Sequence, residues 1–191
     1  MTDAENISQL KAILYGTDAL VNAAFQVWAF DTAVADEHVE QMAGWADLQQ
    51  LMLSGTFVTD RCLTAISTFH RLECLDIGGT AITASGIAYA NIPHAVKDFG
   101  LYDIELDDIA ADAIASLPSL RALNCNGCGL SHYALLQFLR IPSLQAIEAL
   151  GADMPDSHAR EFTLERPDIL LRLDSGVWKG GDVRRPPDYE A

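Results

Sequence analysis

The sequence predicts an α/β solenoid in which a strand, a turn and a helix repeat every 24 residues. The segment LQQLMLSGTFVT at 48–59 is followed by LECLDIGGTAIT at 72–83, with leucine, glycine and threonine in the same slots. The spacing holds without an insertion over six units, from residue 24 to residue 167. One unit of this size cannot bury its own apolar side, so we expect the units to stack and both ends to be covered.

The start of each unit predicts a strand. Two of its positions, the fourth and the sixth, are apolar or small in every unit, and this alternation is typical of a strand with one buried face. The fourth positions are Val27, Leu51, Leu75, Phe99, Leu123 and Ile147, and the sixth are Ala29, Leu53, Ile77, Leu101, Cys125 and Ala149.

The second half of each unit predicts a helix, because apolar residues recur there at a spacing of three. Thr59, Asp107 and Ser131 stand where the helix begins, and such side chains cap free backbone N–H groups. Asp36 and Asp156 are expected to do the same one residue later. Prolines at 93, 118 and 142 end three of the helices before the next strand.

The units at 48–71 and 72–95 resemble the leucine-rich repeat family in its bacterial form, whose consensus is LxxLxLxxTxITDxGLxxLxxLxx. The resemblance implies the family fold, a curved horseshoe with a parallel sheet on the concave side and helices on the convex side. It also implies that the chain binds other proteins. Ile104 and Ala152 replace the residue that the family uses to bond the turn, so those two turns should be less regular.

The repeat divides the chain into three parts. Residues 1–23 are predicted to be an N-terminal cap helix, and residues 24–174 the repeat domain, with six repeats and a terminal strand that buries Leu171 and Leu173. The glycine, proline and charge content of 175–191 predicts a flexible C-terminal tail, anchored by Trp178.

Charge and motifs exclude several classes of function. With 12 Lys+Arg against 27 Asp+Glu, the net charge is -15, which repels nucleic acids and anionic membranes. The N-terminus has acidic residues where a signal peptide is basic, so we expect a cytoplasmic protein with reduced thiols. Because the sequence has no phosphate-binding loop or metalloprotease motif, we expect no cofactor and no metal.

The outward positions of the strands predict the binding surface. Those that we expect to contact a partner are Trp28, Phe30, Met52, Asp76, Asp98, Tyr102, Asn124, Glu148 and Arg172. Aromatic anchors beside acidic groups suit a protein partner with a basic patch. Two alternatives stay open: the cap covers Trp28 and Phe30, or the partner docks on the convex side at Tyr89 and Ile92.

The sequence thus predicts a monomeric, non-catalytic protein–protein interaction module: an inhibitor, an immunity-like protein, an adaptor or an effector. One alternative is a thiol–disulfide enzyme that uses the CNGC motif of Cys125 and Cys128, although the register points both side chains inward. Cys74 is the thiol that a reagent should reach easily, because its position points outward. The other alternative is a structural solenoid that assembles with itself through its ends.

Overall fold

A sheet with helices along one side makes up residues 3–185, the part of the chain that the computed structural model describes. The strands are β1 (Leu20–Ala23), β2 (Gln26–Trp28), β3 (Gln50–Met52), β4 (Cys74–Asp76), β5 (Asp98–Gly100), β6 (Ala122–Asn124), β7 (Ala146–Glu148), β8 (Leu170–Leu173), β9 (Gly176–Lys179) and β10 (Asp182–Arg184). They lie in the sheet in chain order, so each unit contacts the units before and after it.

The strands β2 to β8 are parallel and in register. Each residue pairs with the residue 24 positions further on, so that Leu51 pairs with Leu75 and Leu75 with Phe99. The side chains at the fourth and sixth positions of all six units are between 0% and 2% exposed. Complete burial of an aliphatic side chain contributes about 1.5–3 kcal/mol, so these two columns stabilise the stack of units substantially. The predicted orientation of the strands is confirmed.

Helices connect the strands on the opposite side of this core. They are α1 (Asp3–Ile13), α2 (Asp36–Gln41), α3 (Leu63–Ile66), α4 (Ala84–Tyr89), α5 (Asp108–Ala115), α6 (His132–Gln137) and α7 (Asp156–Glu165), with 3-10 turns at Asp60–Cys62 and Phe138–Arg140. The predicted caps at Thr59, Asp107 and Ser131 are confirmed, since each side chain accepts a bond from the first turn that follows it. Thr83 has the same role.

Asp36 was predicted to cap its own helix, and that prediction is wrong. Its carboxylate accepts bonds from the backbone N–H (2.8 Å) and the hydroxyl (2.7 Å) of Thr59, in the next unit. Asp60 binds Thr83 in the same way, at 2.8 Å for both bonds. These two carboxylates therefore tie successive helix starts together across the first three units.

The turn after each strand contains a residue in the left-handed region. The eighth residues of the six units all have positive φ: Asp31, Gly55, Gly79, Asp103, Gly127 and Gly151. The irregularity predicted for two turns is wrong, because the N–H groups of Ile104 and Ala152 bond the carbonyl three residues earlier at 3.2 Å, as Thr56 does. The backbone bond closes these turns, and only the side-chain bond of the threonines is missing.

The N-terminal cap contains a strand as well as the predicted helix. In α1, Leu10 is buried against the first unit. β1 then pairs antiparallel with β2, placing Leu20 opposite Trp28. Prediction of a purely helical cap is therefore wrong for 20–23, while residues 1 and 2 lie outside the described residues.

The C-terminal cap replaces most of the tail that the sequence predicts. β9 pairs antiparallel with β8, and β10 pairs antiparallel with β9, so the prediction of a flexible segment is wrong for 176–184. Trp178 pairs with Leu171 and is only 5% exposed, which confirms it as the anchor. Residues 186–191, the rest of the predicted tail, lie outside the described residues.

Candidate protein-binding face

The outward side chains of the sheet form one surface, which we call the sheet face. It comprises the third, fifth and seventh residues of each unit: Gln26, Trp28, Phe30, Gln50, Met52, Ser54, Cys74, Asp76, Gly78, Asp98, Gly100, Tyr102, Ala122, Asn124, Asn126, Ala146, Glu148, Leu150, Leu170, Arg172 and Asp174. Seven parallel strands about 4.8 Å apart give a surface on the order of 29 Å long. All nine predicted contact residues belong to it.

Exposed apolar side chains occupy the N-terminal end of the sheet face. Trp28 is 38% and Phe30 46% exposed, so the cap does not cover them. Leu20 of β1, 60% exposed, lies opposite Trp28 and extends the apolar surface beyond the first repeat. Leu20 was not among the predicted contact residues, because the sequence pattern does not predict β1.

Two sulfur atoms continue this apolar surface onto β3 and β4. The Sγ of Cys74 lies 3.7 Å from the Sδ of Met52, and both residues are half-buried. Burial, followed by the charges of Asp98 and Asp76, raises the pKa of the Cys74 thiol to about 11. Because the reactive thiolate is scarce at neutral pH, the prediction of an easily labelled Cys74 is not supported by its environment.

Asp76 is a half-buried carboxylate at the centre of the sheet face. Burial raises its pKa, while hydrogen bonds from the Gly78 N–H and the Ser54 hydroxyl act in the opposite direction. The bond from the Gly78 nitrogen to Asp76 Oδ1 is 3.0 Å long. Within residues 3–185, neither Asp76 nor Asp98 forms an ion pair, so their charges are not neutralised by the protein.

Two glycines make room for the side chains around Asp76. The ring of Tyr102 lies over Gly78, where a Cβ would overlap it. A Cβ at Gly100 would lie 2.6 Å from Asp76 Oδ1, so the carboxylate leans over the next strand. Glycine at an outward strand position is a sequence signal for such a close approach.

The middle of the sheet face is a shallow depression of about 320 Å³. Small residues on three successive strands, Gly100, Ala122 and Ala146, lie in it, and Asp98 and Glu148 are among its charged residues. A partner side chain can therefore approach the sheet closely at this point and meet acidic groups there.

The polar side chains towards the C-terminal end of the sheet face bind one another and the backbone. Glu148 is 3.4 Å from Arg172 and accepts a 3.4 Å bond from Asn126 Nδ2. Asn126 Oδ1 accepts from the Leu150 nitrogen at 2.7 Å, and Asn124 Oδ1 from the Asn126 nitrogen at 3.2 Å. Asn124, a predicted contact residue, thus also supports the turn that follows its strand.

The two cysteines of the CNGC motif lie in the core. Cys125 and Cys128 are each 1% exposed, and their thiols donate to the carbonyls of Glu148 (3.3 Å) and Leu101 (3.2 Å). Burial raises the pKa of Cys125 well above its ordinary value and that of Cys128 to about 11. Both groups therefore behave as small buried hydrophobes at neutral pH.

The convex patch of Tyr89 and Ile92 is smaller than predicted. Tyr89 is 81% exposed, but Ile92 is only 7% exposed and belongs to the core. No group of three or more metal-binding side chains occurs in residues 3–185. Among the helices described, none is long and apolar enough to cross a bilayer.

Comparison with known proteins identifies the fold. No family model and no curated protein matches the sequence. Two solved structures from Listeria monocytogenes str. 4b F2365 are similar: internalin C2, with a TM-score of 0.54 and 16% identity, and the internalin inlF, with a TM-score of 0.50 and 12% identity. The first match covers 88% of this chain and 82% of internalin C2, and the second covers 90% and 64%.

The chain has the leucine-rich-repeat fold. The predicted fold class is thereby confirmed. At such low identities the likeness shows the fold alone, and this chain spans less than two thirds of inlF. The leucine-rich-repeat sheet carries the sheet face on its outward side, and a fold alone does not define a function, so the function has to be argued from the side chains of that face.

Proposed function

We propose that this leucine-rich-repeat chain is a non-catalytic protein-interaction module that binds a protein partner through the sheet face. The observation that carries the proposal is the exposure of Trp28 and Phe30 on the same face as the carboxylates of Asp76 and Asp98. Tryptophan and other aromatic residues are enriched among the side chains that supply most binding energy at interfaces. A stacked solenoid presents such groups on one rigid, extended surface.

The proposed partner has an apolar patch next to lysine or arginine side chains. Its apolar part covers Leu20, Trp28 and Phe30, and its cations approach Asp76 and Asp98 at the central depression. The remaining predicted residues, Met52, Tyr102, Asn124, Glu148 and Arg172, complete the proposed contact surface. The net charge of -15 steers a basic partner towards the chain, so association slows as the salt concentration rises.

In this proposal the module acts in the cytoplasm as a monomer, in the role of an inhibitor, an immunity-like protein, an adaptor or an effector. The cysteines at 62, 74, 125 and 128 are free thiols, which fits a reducing compartment. Light scattering over a range of concentrations tests the monomer, because a self-assembling solenoid would gain mass as concentration rises.

A quantitative pull-down tests the binding face. Tagged protein is incubated with an extract of the organism that encodes it, and the proteins captured by Trp28→Ala/Phe30→Ala are compared with those captured by the wild type. We expect the loss of two aromatic anchors to weaken capture by about tenfold or more. The matched control, Tyr89→Ser/Tyr133→Ser, removes two exposed aromatic rings from the helices and should capture the partner normally. Loss of capture in the control alone would move the interface to the helices and refute the proposal.

A further inference from the structure

A groove of about 560 Å³ lies at the C-terminal end of the sheet face, where β8 meets the β9–β10 hairpin. Arg172, Val177 and Arg184 stand side by side on neighbouring strands, because Val177 pairs with both arginines. Leu150 and Leu170 also line the groove. With strands about 4.8 Å apart, the backbones of the two arginines are about 10 Å from each other.

The groove is basic in a strongly acidic protein. Three of the chain's 12 Lys+Arg residues line it, namely Arg172, Arg184 and Arg185. Arg185 is paired with Asp156 at 2.9 Å, and Arg172 has only the longer contact with Glu148. Arg184 is exposed and forms no ion pair within residues 3–185.

Of the two carboxylates in the groove, only Glu148 pairs with an arginine, through its 3.4 Å contact with Arg172. Asp174, the other carboxylate beside Glu148, accepts a 2.8 Å bond from the backbone nitrogen of Gly151. The groove therefore offers two guanidinium groups, each able to bind a carboxylate through two parallel hydrogen bonds, on either side of an apolar strip.

We infer that this groove is a second docking site, which binds an acidic segment of a protein partner. Carboxylates of the segment pair with Arg172 and Arg184, and an apolar side chain between them packs on Val177 and Leu170. The charge of the groove is opposite to that of the surface around Asp76 and Asp98, so the two sites select partner segments of different sequence. The inference does not depend on the aromatic end of the sheet face.

Titration with a model peptide tests the groove. The probe is EELEELEE with a fluorescent label at its N-terminus, and binding is followed by fluorescence anisotropy at 50 mM NaCl. We expect Arg172→Gln/Arg184→Gln to weaken binding at least tenfold. The control Arg61→Gln/Arg140→Gln changes the net charge equally but alters arginines paired with Glu40 and Asp112 on the helix side, so its effect should stay below twofold.

Further arms of the titration separate the possible outcomes. QQLQQLQQ with the same label should bind at least tenfold more weakly, and Trp28→Ala should bind the acidic probe within twofold of the wild type. No signal up to about 1 mM peptide, or equal loss in both double variants, overturns the inference.

Two other occupants of the groove are also tested. Residues 186–191 carry two carboxylates, and we expect a chain that ends at Arg185 to bind the probe within twofold of the full chain. A tenfold gain would make the chain's own end the occupant, and self-association lost in Arg172→Gln/Arg184→Gln would make it a second copy. Either result overturns the inference of an external partner.

Discussion

The two ends of the sheet face differ in charge and in how far their side chains bind one another. At the N-terminal end, Trp28 and Phe30 are exposed, and Asp76 and Asp98, two and three strands further along the sheet, have no ion pair within residues 3–185. At the C-terminal end, Arg172 contacts Glu148, while Asp174 is bonded to the turn backbone.

The difference distinguishes side chains that support the fold from those that are free to bind. The same buried columns lie beneath both ends of the sheet face, so the fold itself does not require the two ends to differ in charge. A half-buried carboxylate without a cation reduces stability, and selection for function explains its retention better than selection for stability. This contrast supports the proposed binding at the N-terminal end and at the arginine-lined groove, while Asn126 and Glu148 between them bond to neighbouring groups.

The largest effect on stability is expected at strand positions whose side chains point into the core. Leu75 is fully buried and Asp76 follows it on the sheet face, so Leu75→Asp places a charge in the core while the neighbouring position stays outside. We expect a loss of about 5 kcal/mol in the free energy of unfolding, because the lost apolar contacts and the buried charge add together. Urea unfolding followed by circular dichroism measures it.

Leu123→Asp should cost a similar amount, because Leu123 fills the same column under the other end of the sheet face. Asp98→Ala, at an exposed position, should change the unfolding free energy by less than about 0.5 kcal/mol. If Asp98→Ala and Leu75→Asp destabilised the protein equally, the assignment of inward and outward positions would be wrong.

The repeat units could be predicted from the sequence because the same apolar pattern recurs in every unit. The column that contains Leu51, Leu75 and Leu123 repeats every 24 residues, so several units together identify the strand, its inward positions and its sheet neighbours. Each cap occurs once and follows no repeat. β1 and the β9–β10 hairpin were missed for that reason, although Gly180-Gly181 between two alternating segments is a hairpin signal.

The candidate site was predictable only in part, for a related reason. Strand alternation places Trp28 and Asp76 on the outward side, but burial and bonding depend on neighbours from other units. Gly78 and Gly100 admit Tyr102 and the Asp76 carboxylate. A glycine at an outward position indicates a close approach, but not which residue of a neighbouring unit makes it. The arginine-lined groove needs β10, so it could not be predicted without the hairpin.

Asp76→Asn removes the charge at the centre of the sheet face and preserves the shape of the side chain. Burial raises the pKa of Asp76 in the folded protein above its unfolded value of about 3.8. Its contribution to stability is therefore fully present below the unfolded pKa and is lost as the pH rises through the folded pKa. At pH 7 we expect Asp76→Asn to raise Tm by a few degrees at most and to weaken binding of a basic partner.

The pH dependence provides the control for this variant. The gain in Tm over the wild type should shrink as the pH falls from 7 towards the unfolded pKa of about 3.8, because the wild-type carboxyl takes up its proton. The matched control is Asp98→Asn, which alters an exposed carboxylate on the next strand and should change Tm less than Asp76→Asn does at pH 7. A variant that loses stability at pH 7 would mean that the hydrogen bonds from Gly78 and Ser54 outweigh the effect of burial.

The smallest effect on binding is expected for Glu148, which lies between the central depression and the arginine-lined groove. Glu148 competes with any acidic ligand for Arg172. Their side chains are 41% and 50% exposed and their contact is 3.4 Å long, and exposed pairs of this kind contribute about 0.2–1 kcal/mol. Glu148→Gln frees Arg172 and should therefore strengthen binding of the EELEELEE probe by about 1.5- to 5-fold, with Tm unchanged within about 2 °C. The anisotropy titration measures this gain, and Glu148→Gln combined with Arg172→Gln should abolish it, because the freed guanidinium is then absent. Equal affinity in wild type and Glu148→Gln would show that Arg172 does not contact the acidic segment, leaving Arg184 as its main cation.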